Sequence, residues 1–347
     1  MSRHPISIKS ASILLGAFFC LFVSACDEKK SVTTTTEWEN ESRTAVTEQS
    51  VAASTAKADT KTATKANAPD TDISGESVRF LSYNLRNYLT MRRYIDGKSS
   101  EEGKPEEEIA ALLKVIVEGQ PDVLGVCEIG SKEDLAGFQK RLAAEGIDLP
   151  NLHHVQGADT VRSLAILSKY PLVSTATPKE DSYQLSGKPF RISRGILDAT
   201  VKLPSRSVRF LGVHLKSKRP VKDADEEMIR RNEAYLLRKH IDEILTADPK
   251  ANLMVYGDFN DTKRTKTVYA VKGRSNSSKR LEMLEVPDSR GELWTHHWTR
   301  EDIYSRIDFC MVSLALSPHI EREECKLLDP SYWDVGSDHR ALLVLIK

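Results

Sequence analysis

The stretch Leu253-Met254-Val255-Tyr256-Gly257-Asp258-Phe259-Asn260 places two polar side chains directly after an apolar run. A short apolar run that ends at a glycine is typical of a buried strand. Asp258 and Asn260 are therefore expected at a strand end, where a rigid element can present side chains to a cleft. By itself the stretch is weak evidence, because a motif this short also occurs by chance.

Other polar residues take the same position along the chain. The apolar segments predict strands over 78–83, 122–128, 163–168, 195–203, 208–215, 253–257, 307–312 and 341–346. Polar residues at or near strand ends are, in chain order, Asn84, Glu128, His214, Asp258 with Asn260, Asp308, and Asp338 with His339. Taken singly, each has an ordinary structural explanation as a turn residue, a surface carboxylate or a strand histidine. Taken together, they indicate one shared cleft.

Helices are predicted between some of these strands. Pro105 precedes a run of acids that favours a helix start, and Ser131 with Asp134 forms a plausible cap for a helix that runs to Gly146. A longer amphipathic helix is predicted over 224–245. Because several strands follow one another without a helix, we expect antiparallel pairs and not a purely parallel sheet.

Composition excludes several classes of protein. The 347 residues contain 50 Lys and Arg against 50 Asp and Glu, so the chain as a whole does not attract polyanions and any anion preference is local. The hydrophobic fraction of 40% can fill a core, which argues against wholesale disorder or a multi-span membrane protein. Five cysteines without a C-x-x-C pair give no zinc-ribbon or disulfide-scaffold pattern.

The N-terminus is typical of an export signal. Arg3 and Lys9 precede an apolar run over 13–23 that is too short for an ordinary transmembrane helix, which predicts a signal peptide over 1–25. The sequence Val23-Ser24-Ala25-Cys26 resembles a bacterial lipobox, which implies acylation of Cys26. The protein is then exported and lipid-anchored to a bacterial membrane, facing the periplasm or the cell exterior. The alternative is an ordinary secretory signal in which Cys26 has no role.

A linker follows the signal. Residues 26–76 are rich in Thr, Ala, Ser, Glu and Lys and carry no sustained apolar stripe, so we predict a disordered tether that begins at the lipidated Cys26. The folded domain is predicted over 77–347.

The ordered polar residues, ending in Ser337-Asp338-His339-Arg340, resemble the endonuclease/exonuclease/phosphatase superfamily. This is the fold of DNase I, abasic-site endonucleases, neutral sphingomyelinases and inositol polyphosphate 5-phosphatases, and the resemblance covers roughly 78–347. It implies an α/β fold of the α+β type: a four-layer sandwich of two packed, mostly antiparallel β-sheets flanked by helices. The active site would lie where both sheets present strand ends.

Phosphodiester hydrolysis requires a hard cation, a positioned water and a proton donor. Glu128, Asn84 and Asp338 offer oxygen ligands without thiolates, which suit Mg²⁺, or alternatively Mn²⁺, better than Zn²⁺. Asp258 and His339 are the two candidates to take the proton of the attacking water.

The resemblance implies supporting roles for four further residues. Asp308 would orient His339, and His214 would hydrogen-bond the phosphate or protonate the leaving group. Asn260 would stabilise phosphate charge. Arg194 resembles a phosphate-contacting arginine of the DNase-like members, the alternative being a structural ion pair.

Two positions depart from the family pattern. Cys127 stands where many members have a glutamine before the metal-binding glutamate, so the hydrogen bond of that amide is lost. Some nucleases carry a carboxylate that supports the first histidine, and this chain reads Asp159-Thr160-Val161-Arg162 at that place, which leaves the support of His214 in doubt.

Two other features have competing interpretations. The pair His296-His297 could suggest a metal or stacking site, but adjacent strand residues face opposite sides, so we interpret the pair as part of a loop. The segment 263–280 holds basic residues and no acid, and is either a loop that contacts a polyanion or a solvated loop. Its basic residues are Lys263, Arg264, Lys266, Lys272, Arg274, Lys279 and Arg280.

The sequence therefore predicts an exported, membrane-anchored, Mg²⁺-dependent phosphoesterase that hydrolyses phosphodiester bonds. A nuclease-like enzyme acting on nucleic acid is favoured, and no protein partner is indicated. One alternative is a sphingomyelinase-like or inositol-phosphate phosphatase activity. The other is an inactive binding lipoprotein, which would be expected to have lost site residues that this chain retains.

Overall fold

The computed structural model describes residues 77–95 and 97–347. The predicted signal peptide, the lipobox with Cys26 and the tether lie outside the described residues. None of the helices described is long and apolar enough to cross a membrane.

The elements are numbered in chain order. The helices are α1 (Glu106–Gly119), α2 (Lys132–Ala144), α3 (Glu226–Ala247), α4 (Lys266–Lys272) and α5 (Trp333–Gly336). The strands are β1 (Val78–Tyr88), β2 (Met91–Ile95), β3 (Lys98–Glu102), β4 (Val123–Ile129), β5 (Asn151–Val155), β6 (Ser163–Ser168), β7 (Leu172–Thr175), β8 (Ser182–Leu185), β9 (Lys188–Arg191), β10 (Ile196–Lys202), β11 (Ser207–His214), β12 (Leu253–Asp258), β13 (Leu281–Met283), β14 (His296–Trp298), β15 (Ile303–Ser305), β16 (Asp308–Ser313), β17 (Lys326–Leu327) and β18 (Leu342–Ile346).

Two six-stranded sheets form the centre of the domain. Sheet I has the strand order β17-β18-β1-β4-β6-β5, and sheet II has the order β13-β16-β12-β11-β10-β7. Each sheet contains one parallel pair, β1 with β4 and β11 with β12, while its other neighbours are antiparallel. Each parallel pair is joined by a helix, α1 or α3, because parallel strands need a crossover connection. The expected mostly antiparallel α/β architecture is confirmed.

Three apolar clusters define four layers. The cluster between the sheets contains Phe80 of β1, Phe210 of β11 and Tyr256 of β12. A second cluster joins α1 and α2 to the outer face of sheet I, and a third joins α3 and α4 to the outer face of sheet II. The helices thus cover both outer faces, and the sheets pack on each other through the inner faces.

The structure corrects three local predictions. Asn84 lies within β1 and not after it, because the strand continues to Tyr88 through a kink in which Arg86 and Asn87 have positive φ. The basic segment 263–280 is not a continuous loop, since it contains α4, capped by Thr265. His296 and His297 belong to β14, where β15 pairs with them, so the loop interpretation is wrong.

Candidate active site

Strand alternation brings the polar side chains to one end of the space between the sheets. In β12, Met254 and Tyr256 belong to the core between the sheets, and Asp258 continues the same face two residues later. The same reasoning places His214 beyond Phe210 on β11. At this end, a polar layer replaces the apolar one.

Asp308 and Asn84 join that layer from two other strands. Asp308 precedes Cys310 and Val312 on the inner face of β16, and Asn84 follows Phe80 on the inner face of β1. Both side chains are buried. Sheet I therefore contributes to the same cluster as sheet II.

A β-bulge positions Glu128. The pairing of β4 with β6 shifts between Cys127 and Ile129, and Glu128 has a φ of 63°. Strict alternation would direct Glu128 away from Cys127, which packs between the sheets, and a bulge re-aims the extra residue. Glu128 Oε1 lies 3.8 Å from His214 Nε2, and Oε2 accepts a hydrogen bond from the Asn87 backbone at 2.9 Å.

Cys127 contributes to packing at the position where the family pattern has glutamine. Its Sγ lies 3.4 Å from the carbonyl oxygen of Val213 on the opposite sheet. Burial raises the pKa of the Cys127 thiol well above its usual range, so the thiol is neutral. The residue therefore belongs to the core.

Asp308 and His339 form a buried pair. Their Oδ2 and Nδ1 atoms lie 2.8 Å apart, which leaves His339 Nε2 toward Asn84 Nδ2 at 3.4 Å and Asp258 Oδ2 at 3.8 Å. Thr295 donates a hydrogen bond to Asp308 Oδ2 at 2.7 Å and accepts one from the Asp308 backbone at 3.0 Å. Sequence reasoning missed Thr295, because no local pattern distinguishes it.

The carboxylate of Asp258 is the centre of the cluster. Its Oδ2 accepts hydrogen bonds from Asn84 Nδ2 and Asn260 Nδ2, both at 3.2 Å, and lies 3.5 Å from His214 Nε2. Asn260, whose φ is 51°, also donates its backbone N–H to Asp258 Oδ1 at 2.7 Å. Asn84, Asp258, Asn260 and both histidines are thus brought together.

Burial and neighbouring charges shift the pKa of these groups. Burial, with the charge of Asp308, raises the pKa of Asp258 to about 7. Burial disfavours the charged form of His339, but the carboxylates of Asp308, Asp258 and Asp338 outweigh it and raise the pKa of His339 to about 10. Burial and the positive charges of Arg194 and His339 lower the pKa of His214 well below its usual range. At neutral pH, His339 is charged and His214 is neutral.

The carboxylate support of His214, which the sequence left in doubt, is not supplied by Asp159. Asp159 Oδ2 lies 3.3 Å from Arg194 Nε and 3.9 Å from Arg162 Nη1. Within the described part of the chain, His214 Nδ1 has no hydrogen-bond partner. The ion-pair alternative for Arg194 is therefore present, and its contact with phosphate stays a prediction.

Sequence reasoning also missed Arg162 and His296. Arg162 Nε donates a hydrogen bond to Asn87 Oδ1 at 2.8 Å and lies 3.8 Å from Glu128 Oε2. Its guanidinium is therefore close enough to form an ion pair with the Glu128 carboxylate at the bulge. His296 pairs with His339 across an isolated β-bridge, and the ring centroids are 4.7 Å apart. The sequence signal for His296 was the His296-His297 pair. Adjacent side chains of a strand face opposite sides, so only the His296 ring faces the site.

The residues present fit a divalent cation. Among the described residues, two groups could hold a metal ion: His296, Asp338 and His339, and Asp258, Asp308 and His339. The structure does not bring the predicted metal ligands Glu128, Asn84 and Asp338 together in one of these groups. Asp338 belongs to the first group, and Glu128 belongs to neither. Burial and the neighbouring carboxylate of Asp308 raise the pKa of Asp258, and a bound cation would relieve the repulsion between the carboxylates.

The fold and this cluster define a phosphoester hydrolase of the DNase I-like type. Residues 81–339 match the model of the Endonuclease/Exonuclease/phosphatase family, so the chain belongs to this family, which generally uses divalent metal ions. Among curated proteins, no sequence matches the chain.

Solved structures share the fold. The human Nocturnin catalytic domain with bound sulfate is 17% identical, with a TM-score of 0.53 over 78% of this chain and 94% of that chain. Truncated Caenorhabditis elegans TDP2 is 18% identical, with a TM-score of 0.52 over 79% and 99%. The 3′ phosphatase NExo from Neisseria, bound to a product DNA hairpin, is 14% identical, with a TM-score of 0.52 over 78% and 99%. At these identities, the likeness shows the fold alone.

Proposed function

We propose that this protein is a Mg²⁺-dependent phosphodiesterase that cleaves nucleic acid by in-line attack of water. The observation that carries the proposal is the buried cluster of Asn84, Asp258, Asp308 and His339 at the strand ends of both sheets. The proposed ligands are Glu128, Asn84 and Asp338, although Glu128 and Asp338 share no metal-competent group among the described residues, and the cation would neutralise phosphoryl charge. Asn84 Oδ1 accepts one hydrogen bond, from the Arg86 backbone, which leaves it a second lone pair.

The remaining catalytic roles are assigned to individual side chains of the cluster. We assign the attacking water's proton to Asp258, because its buried carboxylate lies at the centre of the cluster, with Oδ2 3.5 Å from His214 Nε2 and 3.8 Å from His339 Nε2. His339 is held by Asp308 with Nε2 toward the cleft, where it donates to a phosphoryl oxygen. His214 and Asn260 stabilise phosphate charge, and Arg194 lies near His214 to add a guanidinium.

The central experiment is hydrolysis by the full chain in detergent. The substrates are bis(p-nitrophenyl) phosphate, plasmid DNA, RNA and sphingomyelin, each with Mg²⁺, Mn²⁺ or EDTA. We expect Mg²⁺-dependent cleavage of nucleic acid that EDTA abolishes and Glu128→Gln strongly reduces. Activity confined to sphingomyelin, or none on any substrate, would contradict the nuclease proposal, and the latter would favour a binding lipoprotein.

The basic segment supports a polyanionic substrate. Arg264, Lys266 and Arg274 are exposed, and within residues 77–95 and 97–347 they form no ion pair, whereas Lys263 is paired with Glu285 at 2.8 Å. The 3′ phosphatase NExo, which shares the fold, is bound to a product DNA hairpin.

Replacing Arg264, Lys266 and Arg274 by glutamine should flatten the salt dependence of duplex DNA cleavage. Log affinity falls with log salt, and each lost phosphate contact makes this slope shallower by about 0.9. The slope of the triple variant should therefore be shallower by roughly 2 to 3 than that of wild type. The matched control replaces Lys114, Lys132 and Lys140, which are exposed on the helices that cover sheet I. An unchanged slope in the first variant, or an equal change in the control, would exclude this role.

We propose export and membrane anchoring from the signal-like N-terminus and the lipobox. Cys26→Ser should move the protein from the detergent-extracted membrane fraction to the soluble fraction, because several acyl chains each contribute about 0.8 kcal/mol per buried CH₂. Fractionation with labelled palmitate measures both attachment and location. If the variant stays in the membrane fraction, or wild type incorporates no label, the anchor is not Cys26.

A sphingomyelinase-like activity is the second candidate function. Trp298 and Ile303 are cross-strand partners in the β14–β15 hairpin, and both are about half exposed. Alternation puts them on the same face of the hairpin as His296, whose ring contacts His339. An apolar part of a substrate could pack there. Under this candidate, Trp298→Ala would lower hydrolysis of sphingomyelin vesicles but not of bis(p-nitrophenyl) phosphate.

A further inference from the structure

His296 extends the active-site cluster by one imidazole. The backbone of β14 is held beside His339 by the bridge between these two residues, and the His297 N–H donates to the Asp338 carbonyl at 3.0 Å. His296 Nε2 lies 3.9 Å from Asp338 Oδ2, and His339 Nε2 lies 3.9 Å from Asp338 Oδ1. Two imidazole nitrogens and one carboxylate thus lie close together at the edge of the cleft.

The spacing is close to that of a coordination shell. Ligand atoms of the three residues all lie within 4.8 Å of one another. An ion with ligands at about 2.1 Å holds neighbouring ligand atoms about 3 to 3.5 Å apart. The side chains of His296 and Asp338 are both partly exposed, which leaves them room to rotate toward a bound ion.

We propose that His296, Asp338 and His339 form a two-histidine, one-carboxylate site that binds Zn²⁺ in preference to Mg²⁺. Imidazole nitrogen suits zinc, whereas Mg²⁺ requires oxygen ligands and retains its waters. Asp338 belongs both to this site and to the predicted Mg²⁺ ligands, so Zn²⁺ bound here inhibits the Mg²⁺-dependent reaction. The inhibition rests on the proposed function, and the binding does not.

The surroundings support a ligand role for His339. Asp308 holds its Nδ1 at 2.8 Å, an arrangement that orients a metal-binding histidine and raises its basicity. Zn²⁺ bound at Nε2 takes the place of the proton that the charged imidazole carries there, so binding releases that proton to solvent. Asp258 adds a second buried carboxylate, with Oδ2 3.8 Å from Nε2. Two neighbours oppose a cation: Asn84 Nδ2 lies 3.4 Å from His339 Nε2, and Arg86 Nε lies 3.8 Å from Asp338 Oδ2. The Arg86 side chain is 45% exposed and can turn toward solvent.

His297 provides a matched control. It follows His296 in the same strand and faces the opposite side, where its ring stacks on Tyr304 at 4.1 Å. Its Nε2 lies 3.0 Å from Asp302 Oδ1. His297→Ala removes an imidazole from the same hairpin without touching the proposed site.

The test is equilibrium dialysis of the full chain in detergent against Zn²⁺ with excess Mg²⁺. We expect one Zn²⁺ per wild-type chain, at least tenfold weaker binding for His296→Ala, and wild-type binding for His297→Ala. Co²⁺ added in place of Zn²⁺ should give a visible absorption band that His296→Ala loses and His297→Ala keeps. Hydrolysis by His296→Ala should need at least tenfold more Zn²⁺ for half inhibition.

Three results would overturn the site: no bound Zn²⁺ in wild type, equal binding in His296→Ala, or equal weakening in His297→Ala. Circular dichroism of each variant shows whether it is folded. Should His296→Ala unfold, His296→Asn is measured in its place, since it keeps a polar group of similar size. Hydrolysis that is absent in every sample would contradict the proposed function while leaving the binding result intact.

Discussion

His339→Ala is expected to lower phosphodiester hydrolysis by about 10²- to 10³-fold, the usual cost of removing one preorganised donor to charge that develops in the transition state. The variant removes the only imidazole that Asp308 holds among the described residues, and with it a positive charge next to Asp258. The rate with saturating bis(p-nitrophenyl) phosphate and Mg²⁺ measures the loss. His297→Ala is the control, because its ring faces away from the cleft.

Variants of Asp308 and Thr295, which hold His339 in place, distinguish a loss of imidazole positioning from a loss of folding. Asp308→Asn should lower kcat with little change in KM, because the imidazole loses the carboxylate that orients it and favours its protonated form. Thr295→Val should give a smaller loss, since Asp308 keeps its bond to His339. If His339→Ala retains more than about a tenth of the wild-type rate while folded, the proposed role is wrong.

Asp288→Ala should lower the free energy of unfolding by about 3 to 5 kcal/mol. Asp288 Oδ2 and Arg340 Nη2 lie 2.6 Å apart, and both side chains are fully buried. The Arg340 guanidinium also lies 3.8 Å from the Trp294 ring centroid. Among the described residues, removing the carboxylate leaves the buried guanidinium with only the more distant Asp329, whose Oδ2 lies 3.8 Å from Arg340 Nη2, and this costs more than the pair contributed.

The exposed partner of the same carboxylate provides the control. Arg290 Nη2 lies 3.3 Å from Asp288 Oδ2 but is 64% exposed, so Arg290→Ala should change stability by less than about 1 kcal/mol. Urea unfolding of the full chain measures both variants. Replacing Asp288 by leucine together with Arg340 by methionine should recover part of the loss, because neither charge is then buried alone. Equal stability of Asp288→Ala and wild type would show that the pair is not stabilising.

Lowering the pH should reduce the contribution of the Asp288–Arg340 ion pair to the free energy of unfolding. Burial disfavours the charged carboxyl, but hydrogen bonds from Arg340 and from the backbone outweigh it and hold the pKa of Asp288 well below its usual range. A lowered folded-state pKa gives stability that is complete above the unfolded value of about 4 and is lost as the pH falls below it. The difference in stability between wild type and Asp288→Asn should therefore shrink as the pH falls below 4.

The main strands were predictable because their signal is local. Strands β4, β6, β10, β11, β12, β16 and β18 lie within a residue or two of the predicted segments. Their apolar runs are buried on both faces, between the sheets and beneath the helices, so no polar alternation obscures them. The short hairpins β2–β3, β8–β9 and β14–β15 were missed because they are largely exposed and carry no such run.

The site was predictable to the extent that it consists of strand ends. Asn84, His214, Asp258 and Asp308 follow the apolar inner face of their strands by the two-residue period, which the chain alone displays. Glu128 depends on a bulge, Thr295 on a hydrogen bond to Asp308, and His296 on a bridge between β14 and His339. The sequence marks Glu128 as a strand end and His296 as one of a His-His pair, but it shows neither the bulge nor the bridge, and no local pattern distinguishes Thr295.

The amino-acid sequence by itself determined the strands, their polar ends, the family resemblance and the predicted export signal. Tertiary structure alone decided which ends meet: Asn84 contacts Asp258 across 174 residues of chain and His339 across 255. It also decided that Asp159 pairs with Arg194 and not with His214. The physical reason is that periodicity reports how each segment is buried, whereas contacts between segments arise only when both sheets pack on a common core.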